Sequence, residues 1–454
     1  MESPVIEHFY LGCLAHASYM IVSRGDAAVI DPQRDVDIYL QAAAQHGAKI
    51  KHIIETHLHA DFVSGHLELA ERTGARIYLG AGSGAKFPHT PVKDGNSMRM
   101  GDCLFEILQT PGHTLESICV VMTAPNLPKT VFTGDTLFVG DVGRPDLSPV
   151  HTPQELAAML YQSLHTKLLT LPDDTVILPA HGAGSLCGRQ LGNERSSTIG
   201  KERRFNYALQ AKNADEFIRL VADNLPCRPE YFGRDVELNR TGAEPMDALP
   251  ALKALTPDEV ARLQEAGSVV LDTRPAMEFA VGHIPGSIHI DLSGQYASWA
   301  GRVLGLDRSL ILMVDDQEHA REAQLRLARV GIEKVRGYLE GGVTAWIKGG
   351  RALNYIPQIS VAELKELRDR EGDHIALLDV RESAEHSAGA IPNAISIPLA
   401  QLESRVAELD KSKLIVVHCK GGYRSSIATS LLRRHGFEDI ANLTGGYDAW
   451  AAAA

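Results

Sequence analysis

The stretch Thr56-His57-Leu58-His59-Ala60-Asp61-Phe62-Val63-Ser64-Gly65-His66 constrains this chain more than any other. An apolar run at residues 50–54 precedes it and reads as a short buried strand, and a helical segment, 66–73, follows it. His57, His59 and Asp61 alternate on the loop leaving that strand, so their side chains can converge on one point. A rigid scaffold builds a metal site in this way. A solvated polar loop would carry His-x-His equally well, but three later segments repeat the pattern. Residues 105–109 run into Thr110-Pro111-Gly112-His113-Thr114, 129–132 into Thr133-Gly134-Asp135-Thr136-Leu137-Phe138, and 175–178 into Pro179-Ala180-His181-Gly182. Four β-rich runs that each stop on a His or Asp predict one shared metal site.

A chain of 454 residues has the length of about three domains. Its 44% apolar and 22% charged residues are ordinary for a globular protein. The net charge of −12, from 45 basic and 57 acidic groups, argues against nucleic acid or an anionic membrane as the main partner. No apolar run approaches the roughly 20 residues that span a bilayer. The first residues include Glu2 and Glu7 rather than a basic segment, so no signal peptide is expected. Six cysteines, Cys13, Cys103, Cys119, Cys187, Cys227 and Cys419, occur without a Cys-x-x-Cys pair, which points to a reducing, cytoplasmic compartment.

In chain order, 5–22 and 27–31 read as two strands of a hairpin joined near Arg24-Gly25-Asp26, and 36–46 as a helix ended by Gly47. With the four strand ends, this pattern resembles the metallo-β-lactamase fold over residues 1–240. The resemblance implies a four-layered αββα sandwich whose strand-end loops hold one or two metals. Dinuclear hydrolases of the glyoxalase II type need His-x-His-x-Asp-His, and here the final position is Phe62, whose ring cannot ligate. His57, His113 and Asp135 remain, the two-imidazole, one-carboxylate set of non-haem iron(II) oxygenases. That set, with Gly134-Asp135-Thr136-Leu137 and Gly143-Arg144-Pro145-Asp146, is similar to the persulfide dioxygenases. The resemblance implies one Fe(II) per chain and the conversion of a thiol persulfide, dioxygen and water to thiol and sulfite.

His59, Asp61 and His181 are then candidates for orienting the ligands or relaying protons. Arg144 is a candidate for a substrate carboxylate, or else pairs with Asp141 or Asp146. Cys187, in Gly182-Ala183-Gly184-Ser185-Leu186-Cys187-Gly188, stands either in the core or at the pocket mouth. Cys13, Cys103 and Cys119 lie in apolar strand-like runs and are expected in the core. Residues 206–221 read as one amphipathic helix broken by Pro226 and Pro229, and 238–254 as a linker.

Beyond the linker the chain repeats itself. Leu271-Asp272-Thr273-Arg274 and His283-Ile284-Pro285-Gly286-Ser287-Ile288 recur as Leu378-Asp379-Val380-Arg381 and Ala390-Ile391-Pro392-Asn393-Ala394-Ile395. Gly341-Gly342-Val343-Thr344-Ala345-Trp346 recurs as Gly445-Gly446-Tyr447-Asp448-Ala449-Trp450. Strands alternating with helices in both copies predict two small α/β domains with parallel sheets. The repeat resembles rhodanese domains.

The second copy carries a nucleophile. A buried strand, 414–417, leads into His418-Cys419-Lys420-Gly421-Gly422-Tyr423-Arg424-Ser425, and a helix, 426–434, follows. A cysteine in a Gly-rich turn before a helix faces backbone N–H groups and the helix dipole, which favour thiolate and then an anionic persulfide. Lys420, Gly421, Gly422, Tyr423 and Ser425 are the candidate cradle for that anion. Arg424, the fifth residue after Cys419, closes a six-residue loop as in sulfurtransferases, one residue shorter than in the related dual-specificity phosphatases. No cysteine occurs between Cys227 and Cys419, so in the first copy the corresponding position falls on Asp315 or Asp316. A carboxylate is no nucleophile for sulfane sulfur, and the first copy is expected to be silent.

The expected architecture is therefore α/β and α+β. A metallo-β-lactamase-like persulfide dioxygenase domain (1–240) precedes a rhodanese-like domain without catalytic cysteine (255–352) and an active one (357–454). The expected partners are small-molecule persulfides, dioxygen, sulfite and thiosulfate, with neither nucleic acid nor membrane, in a homo-oligomer. Two other classes stay open: a metal-dependent thioester hydrolase fused to a sulfurtransferase, and a sulfur-carrier or sensor protein.

Overall fold

The computed structural model describes residues 3–223 and 225–453, so Glu2 lies outside the described residues. The chain divides into two compact units, Met1–Leu249 with Ala328–Gly331, and Pro250–Leu327 with Ile332–Ala454. Among the described residues, two six-stranded sheets lie in the first unit and two five-stranded sheets in the second.

In the first unit, β1 (Val5–Leu11), β2 (His16–Ser23), β3 (Asp26–Ile30), β4 (Lys49–Ile54), β5 (Arg76–Gly80) and β6 (Thr90–Val92) form one sheet in sequence order. β7 (Ser97–Met100), β8 (Cys103–Gln109), β9 (Ile118–Thr123), β10 (Thr130–Gly134), β11 (Val176–Pro179) and β12 (Ser197–Thr198) form the other. Alternation sorts the side chains between layers. Tyr19 and Ile21 of β2, with Ile30 and Ile54, meet Phe105, Ile107, Val120, Met122 and Phe132 of the facing sheet. Met20 and Val22 point the other way, onto Tyr39, Ala42 and Leu69 of the helices Asp37–Gln45 and His66–Thr73. Val121, Val131 and Ile177 pack on Leu160, Leu164 and Phe217 of Pro153–Thr166 and Ala214–Ala222. The four-layer αββα expectation holds.

Three boundaries differ from the expectation. The stretch 5–22 is itself a hairpin, because the chain reverses at Gly12–Leu14 and Ala15 takes φ +52°. Cys13 therefore sits half-exposed in a turn rather than in the core, whereas Cys103 and Cys119 are buried on β8 and β9. The stretch 206–221 is not one helix. A short 3-10 turn, Ala208–Gln210, ends before Asn213, whose side chain accepts from Glu216 N–H and restarts the chain as Ala214–Ala222. Leu238, assigned above to the linker, completes the helix Tyr231–Thr241.

In the second unit the internal repeat is exact in topology. β13 (Ala254–Leu255), β14 (Val269–Asp272), β15 (Ile288–His289), β16 (Leu310–Met313) and β17 (Val335–Leu339) pair in the order β13-β17-β16-β14-β15. β18 (Gln358–Ile359), β19 (Ile375–Asp379), β20 (Ile395–Ser396), β21 (Leu414–His418) and β22 (Ile440–Leu443) pair as β18-β22-β21-β19-β20. Every pairing is parallel. The repeated Asp-x-Arg is structural. Arg274 grips Asp272 at 3.0 and 2.6 Å and reaches Gly282 O at 2.9 Å. Arg381 grips Asp379 at 2.9 and 2.6 Å and reaches Gly389 O at 2.8 Å. The repeated Gly-Gly lies behind the β16 and β21 strand ends: a Cβ on Gly446 (φ +56°) would meet Cys419 O at 2.4 Å.

Candidate functional site

The His-x-His-x-Asp loop is held from three sides. Asp31, buried at the end of β3, accepts from Thr56 N–H at 2.7 Å and from the Thr56 hydroxyl at 2.9 Å. With its one proton committed to Asp31, the Thr56 oxygen is left to accept from His57 Nδ1–H at 3.0 Å. His57 therefore carries its lone pair on Nε2. His113 reaches the same state by donating Nδ1–H to Arg144 O at 2.9 Å, and burial lowers the pKa of both imidazoles. Asp135 accepts from His181 Nδ1–H through Oδ1 at 2.7 Å, which leaves Oδ2. Burial works against ionisation of Asp135, but the charge and hydrogen bond of His181 outweigh it and hold the carboxyl well below its usual range.

The three remaining atoms face one another. Asp135 Oδ2 lies 3.8 Å from His57 Nε2 and 3.4 Å from His113 Nε2, and no pair is farther apart than 4.8 Å. All three are buried and have no hydrogen-bond partner. A divalent cation fits this donor set. Gly134 makes the approach possible: φ is +51° there, β10 is irregular between Phe132 and Gly134, and a Cβ would sit 2.4 Å from Thr56 Oγ1.

His59 is not part of this set. Its Nε2 lies 3.3 Å from Asp31 Oδ1 and 3.3 Å from Glu55 Oε2. Asp61 and His181 stand on the other side with Cys187, their ligand atoms within 4.8 Å of one another. His181 Nε2 lies 3.0 Å from Asp61 Oδ2. Burial opposes protonation of His181, but Asp135 and Asp61 prevail and push its pKa up to about 10. Cys187 is buried beside this group, and burial, followed by Asp61 and Asp135, pushes its thiol up. Phe62 forms an apolar wall here, its ring 4.4 Å from His59 and 4.1 Å from His16.

Arg144 does not aim at this cavity. Its fork binds Asp146 at 2.6 and 2.8 Å, and the rest of the guanidinium reaches Leu186 O at 3.0 Å and Pro226 O at 2.7 Å. Of the two readings given above, pairing with Asp146 is the one observed, and the buried guanidinium has four of its five N–H groups committed to protein oxygens. Arg144 instead pins the loop of Cys187, whose carbonyl accepts from Arg144 N–H at 2.9 Å.

Cys419 is buried at the end of β21 and accepts Gly422 N–H at 3.1 Å, with Ser425 Oγ 3.6 Å away. The helix begins at Tyr423, three residues before the expected start. Lys420 and Gly421 lie on the exposed rim. Arg424 is paired fork to fork with Glu385 at 2.5 and 2.8 Å. In the first copy Asp316 accepts His319 N–H at 2.9 Å and caps the following helix, so a carboxylate closes that strand end.

Asn239 and His16, like Asp31 and Glu55, escaped the sequence reading. Asn239, on the helix that overran the linker, donates to His59 O at 2.8 Å and Phe62 O at 2.7 Å and accepts from Ser64 N–H at 2.8 Å. His16, at the start of β2, is fully buried beside Phe62, and neither ring nitrogen has a partner. An isolated Asn and an isolated His carry no spacing that would single them out.

Residues 11–181 match the metallo-beta-lactamase superfamily, and 256–348 and 360–453 each match the rhodanese-like domain. The chain is 31% identical to the human persulfide dioxygenase ETHE1, mitochondrial, over 47% of this chain and 78% of that protein. It belongs to the metallo-beta-lactamase superfamily. In this member the lactamase-like domain is fused to two rhodanese-like domains. The chain is also 35% identical to a hydroxyacylglutathione hydrolase from Hahella chejuensis, over 48% of this chain and 77% of that protein. Among solved structures, a metallo-beta-lactamase from Staphylococcus aureus superposes with TM-score 0.67 at 30% identity. That match covers 74% of this chain and 99% of the other.

Replacing Asn239 by alanine strands Ser64 N–H and two loop carbonyls in the interior, at a cost on the order of 2–4 kcal/mol. Denaturant unfolding should show this loss, and dialysis against a chelator should strip metal from Asn239→Ala faster than from the parent. Unchanged values for both would remove Asn239 from the loop's support.

Proposed function

We propose that this protein oxidises low-molecular-weight thiol persulfides to thiol and sulfite at a single iron held by His57, His113 and Asp135, and transfers sulfane sulfur through Cys419. The observation that carries the reading is the donor set itself. Two imidazole nitrogens and one carboxylate oxygen are buried, close together and otherwise unpartnered, while His59 is drawn off by Asp31 and Glu55 and Phe62 occupies the next ligand position. Three protein ligands with open positions suit iron(II) oxygenase chemistry. An iron bound there would activate dioxygen and offer a soft site to sulfur.

The chain's own residues prepare that site. Asp31 through Thr56 orients His57, the Arg144 carbonyl orients His113, and His181 keeps Asp135 Oδ1 engaged so that Oδ2 faces inward. Phe62 excludes water from one wall, and His181 Nε2, beside Asp61, is a place to hold a proton. At Cys419 the thiolate attacks the sulfane sulfur of thiosulfate. The S–S bond breaks and sulfite leaves with the electron pair; an acceptor thiolate then takes the outer sulfur of the new persulfide, and the Cys419 thiolate is released. Run in reverse, the same loop makes thiosulfate from the sulfite released at the metal. Tethering the two activities gives an effective concentration of about millimolar. Six cysteines, none in a disulfide among the described residues, suit a reducing cytoplasm, and we expect a homo-oligomer.

A thioester hydrolase is the second reading. Asp61, His181 and Cys187 favour it, because their ligand atoms are close enough to hold another ion despite Phe62. Metal analysis separates the two. The dioxygenase reading expects one iron per chain, oxygen uptake with glutathione, coenzyme A or cysteine persulfide, and no uptake by zinc-substituted protein. Two zinc per chain with rapid turnover of lactoylglutathione would establish the hydrolase instead.

Single substitutions should also separate the two activities. Cys419→Ser should abolish thiosulfate-linked transfer and leave persulfide-driven oxygen uptake within about twofold, while His113→Ala should do the reverse. Loss of both activities in Cys419→Ser would refute the two-site reading. If Cys187 takes sulfur from substrate, Cys187→Ser should lose any persulfide mass adduct trapped in residues 1–249 and slow persulfide oxidation at unchanged iron content. Unchanged kinetics would leave Cys187 a packing residue.

A further inference from the structure

The helix that presents its N-terminus to Cys419 is seated on the silent copy. Tyr423, its first residue, lies across the backbone of residues 291–294. The phenol donates to Asp291 O at 2.8 Å. The ring occupies the space that a side chain at 294 would need: a Cβ on Gly294 would lie 2.2 Å from Tyr423 Cε2 and 2.5 Å from Cζ. One and two turns along, two further contacts repeat on the same helix face. Ser426 Oγ lies 2.9 Å from His289 Nδ1, and His289 N–H donates to Ser430 Oγ at 3.0 Å. His289 Nε2–H is committed to Arg274 O at 2.8 Å, so Nδ1 accepts and the Ser426 hydroxyl donates.

The receiving segment is itself braced. Arg326 donates to Leu292 O at 2.5 Å and to Gly294 O at 2.9 Å, and its guanidinium lies 5.5 Å from the centre of the Tyr296 ring. Buried hydrogen bonds are directional, so they fix an angle that apolar packing alone would leave loose. The angle matters at the other end of the contact. Gly422, the residue before Tyr423, supplies the N–H that meets Cys419 Sγ at 3.1 Å, and the helix N-terminus points its dipole at that sulfur.

We propose that the silent copy is a positioning partner for the sulfur-transfer loop. The notch at Gly294 receives Tyr423 and, with His289, sets the helix so that Gly422 N–H faces the Cys419 sulfur. This inference rests on Cys419 being the sulfur-transfer nucleophile, and one of the measurements below is independent of turnover.

The test is Gly294→Ala in the full chain. Two quantities are read: thiosulfate-dependent sulfur transfer, and the rate of iodoacetamide alkylation at Cys419 followed by peptide mass spectrometry. The added methyl pushes the ring out, and a displacement of this size should lower both rates about tenfold, in kcat rather than KM. Iron content and persulfide-driven oxygen uptake should not change. In a Tyr423→Ala background the same substitution should add nothing further, because the ring it displaces is already gone. The inference is overturned if Gly294→Ala leaves alkylation and transfer at parental rates, or if the two substitutions multiply. Slowed alkylation in a protein whose parent shows no sulfur transfer would support the positioning and refute the sulfurtransferase reading instead.

Discussion

The metal loop depends on the Asp31 carboxylate. It is buried at the end of β3, where an unpaired charge would be costly, and it is satisfied by the residues that must be ordered. Through Thr56 it fixes the tautomer of His57, and with Glu55 it holds His59 away from the donor set of His57, His113 and Asp135. One group thus orients His57 toward the donor set and holds His59 out of it, although the two belong to one His-x-His pair. The buried carboxylates and imidazoles contribute a specific geometry here more than stability.

The same economy governs how distant strand ends meet. Asp135 reaches His57 because Gly134 leaves room for Thr56, and His113 is oriented by the carbonyl of a residue whose guanidinium anchors the Cys187 loop. Asn239 closes the arrangement by binding the backbone on both sides of Phe62. Backbone carbonyls and the side-chain amide of Asn239 do much of this work, from loops and a helix far in sequence from the His57, His113 and Asp135 donor set. They can specify a geometry because rigid sheets hold them.

The second unit shows how one framework serves two ends. Both copies share strand order, the Asp-x-Arg pair and the Gly-Gly approach, all of which concern the sheet and its caps. They differ at the end of the central strand. In one copy a Gly-rich turn opens the Gly422 N–H toward a sulfur, and in the other Asp316 takes the helix cap for itself. The silent copy packs closely against its neighbour's helix through His289 and Asp291.

Much of this was legible in the sequence, because strand periodicity, strand-end His and Asp residues and an internal repeat are local patterns. His57, His113, Asp135 and Cys419 each carry that pattern in their immediate neighbours, and the Phe62 substitution can be read from a single position. Helix limits were less legible: Asn213 restarts a helix that periodicity runs through, and 238–241 continue one that composition would end. What only the tertiary structure decided was the partner of each polar group. Arg144 could pair with substrate or with Asp146, His59 with an ion or with two carboxylates, and Tyr423 with a ligand or with the notch at Gly294. Residue type gives a side chain its capacity for hydrogen bonds. Which of those bonds it makes depends on what the fold brings within about 3 Å, and this distance is set by elements far apart in sequence.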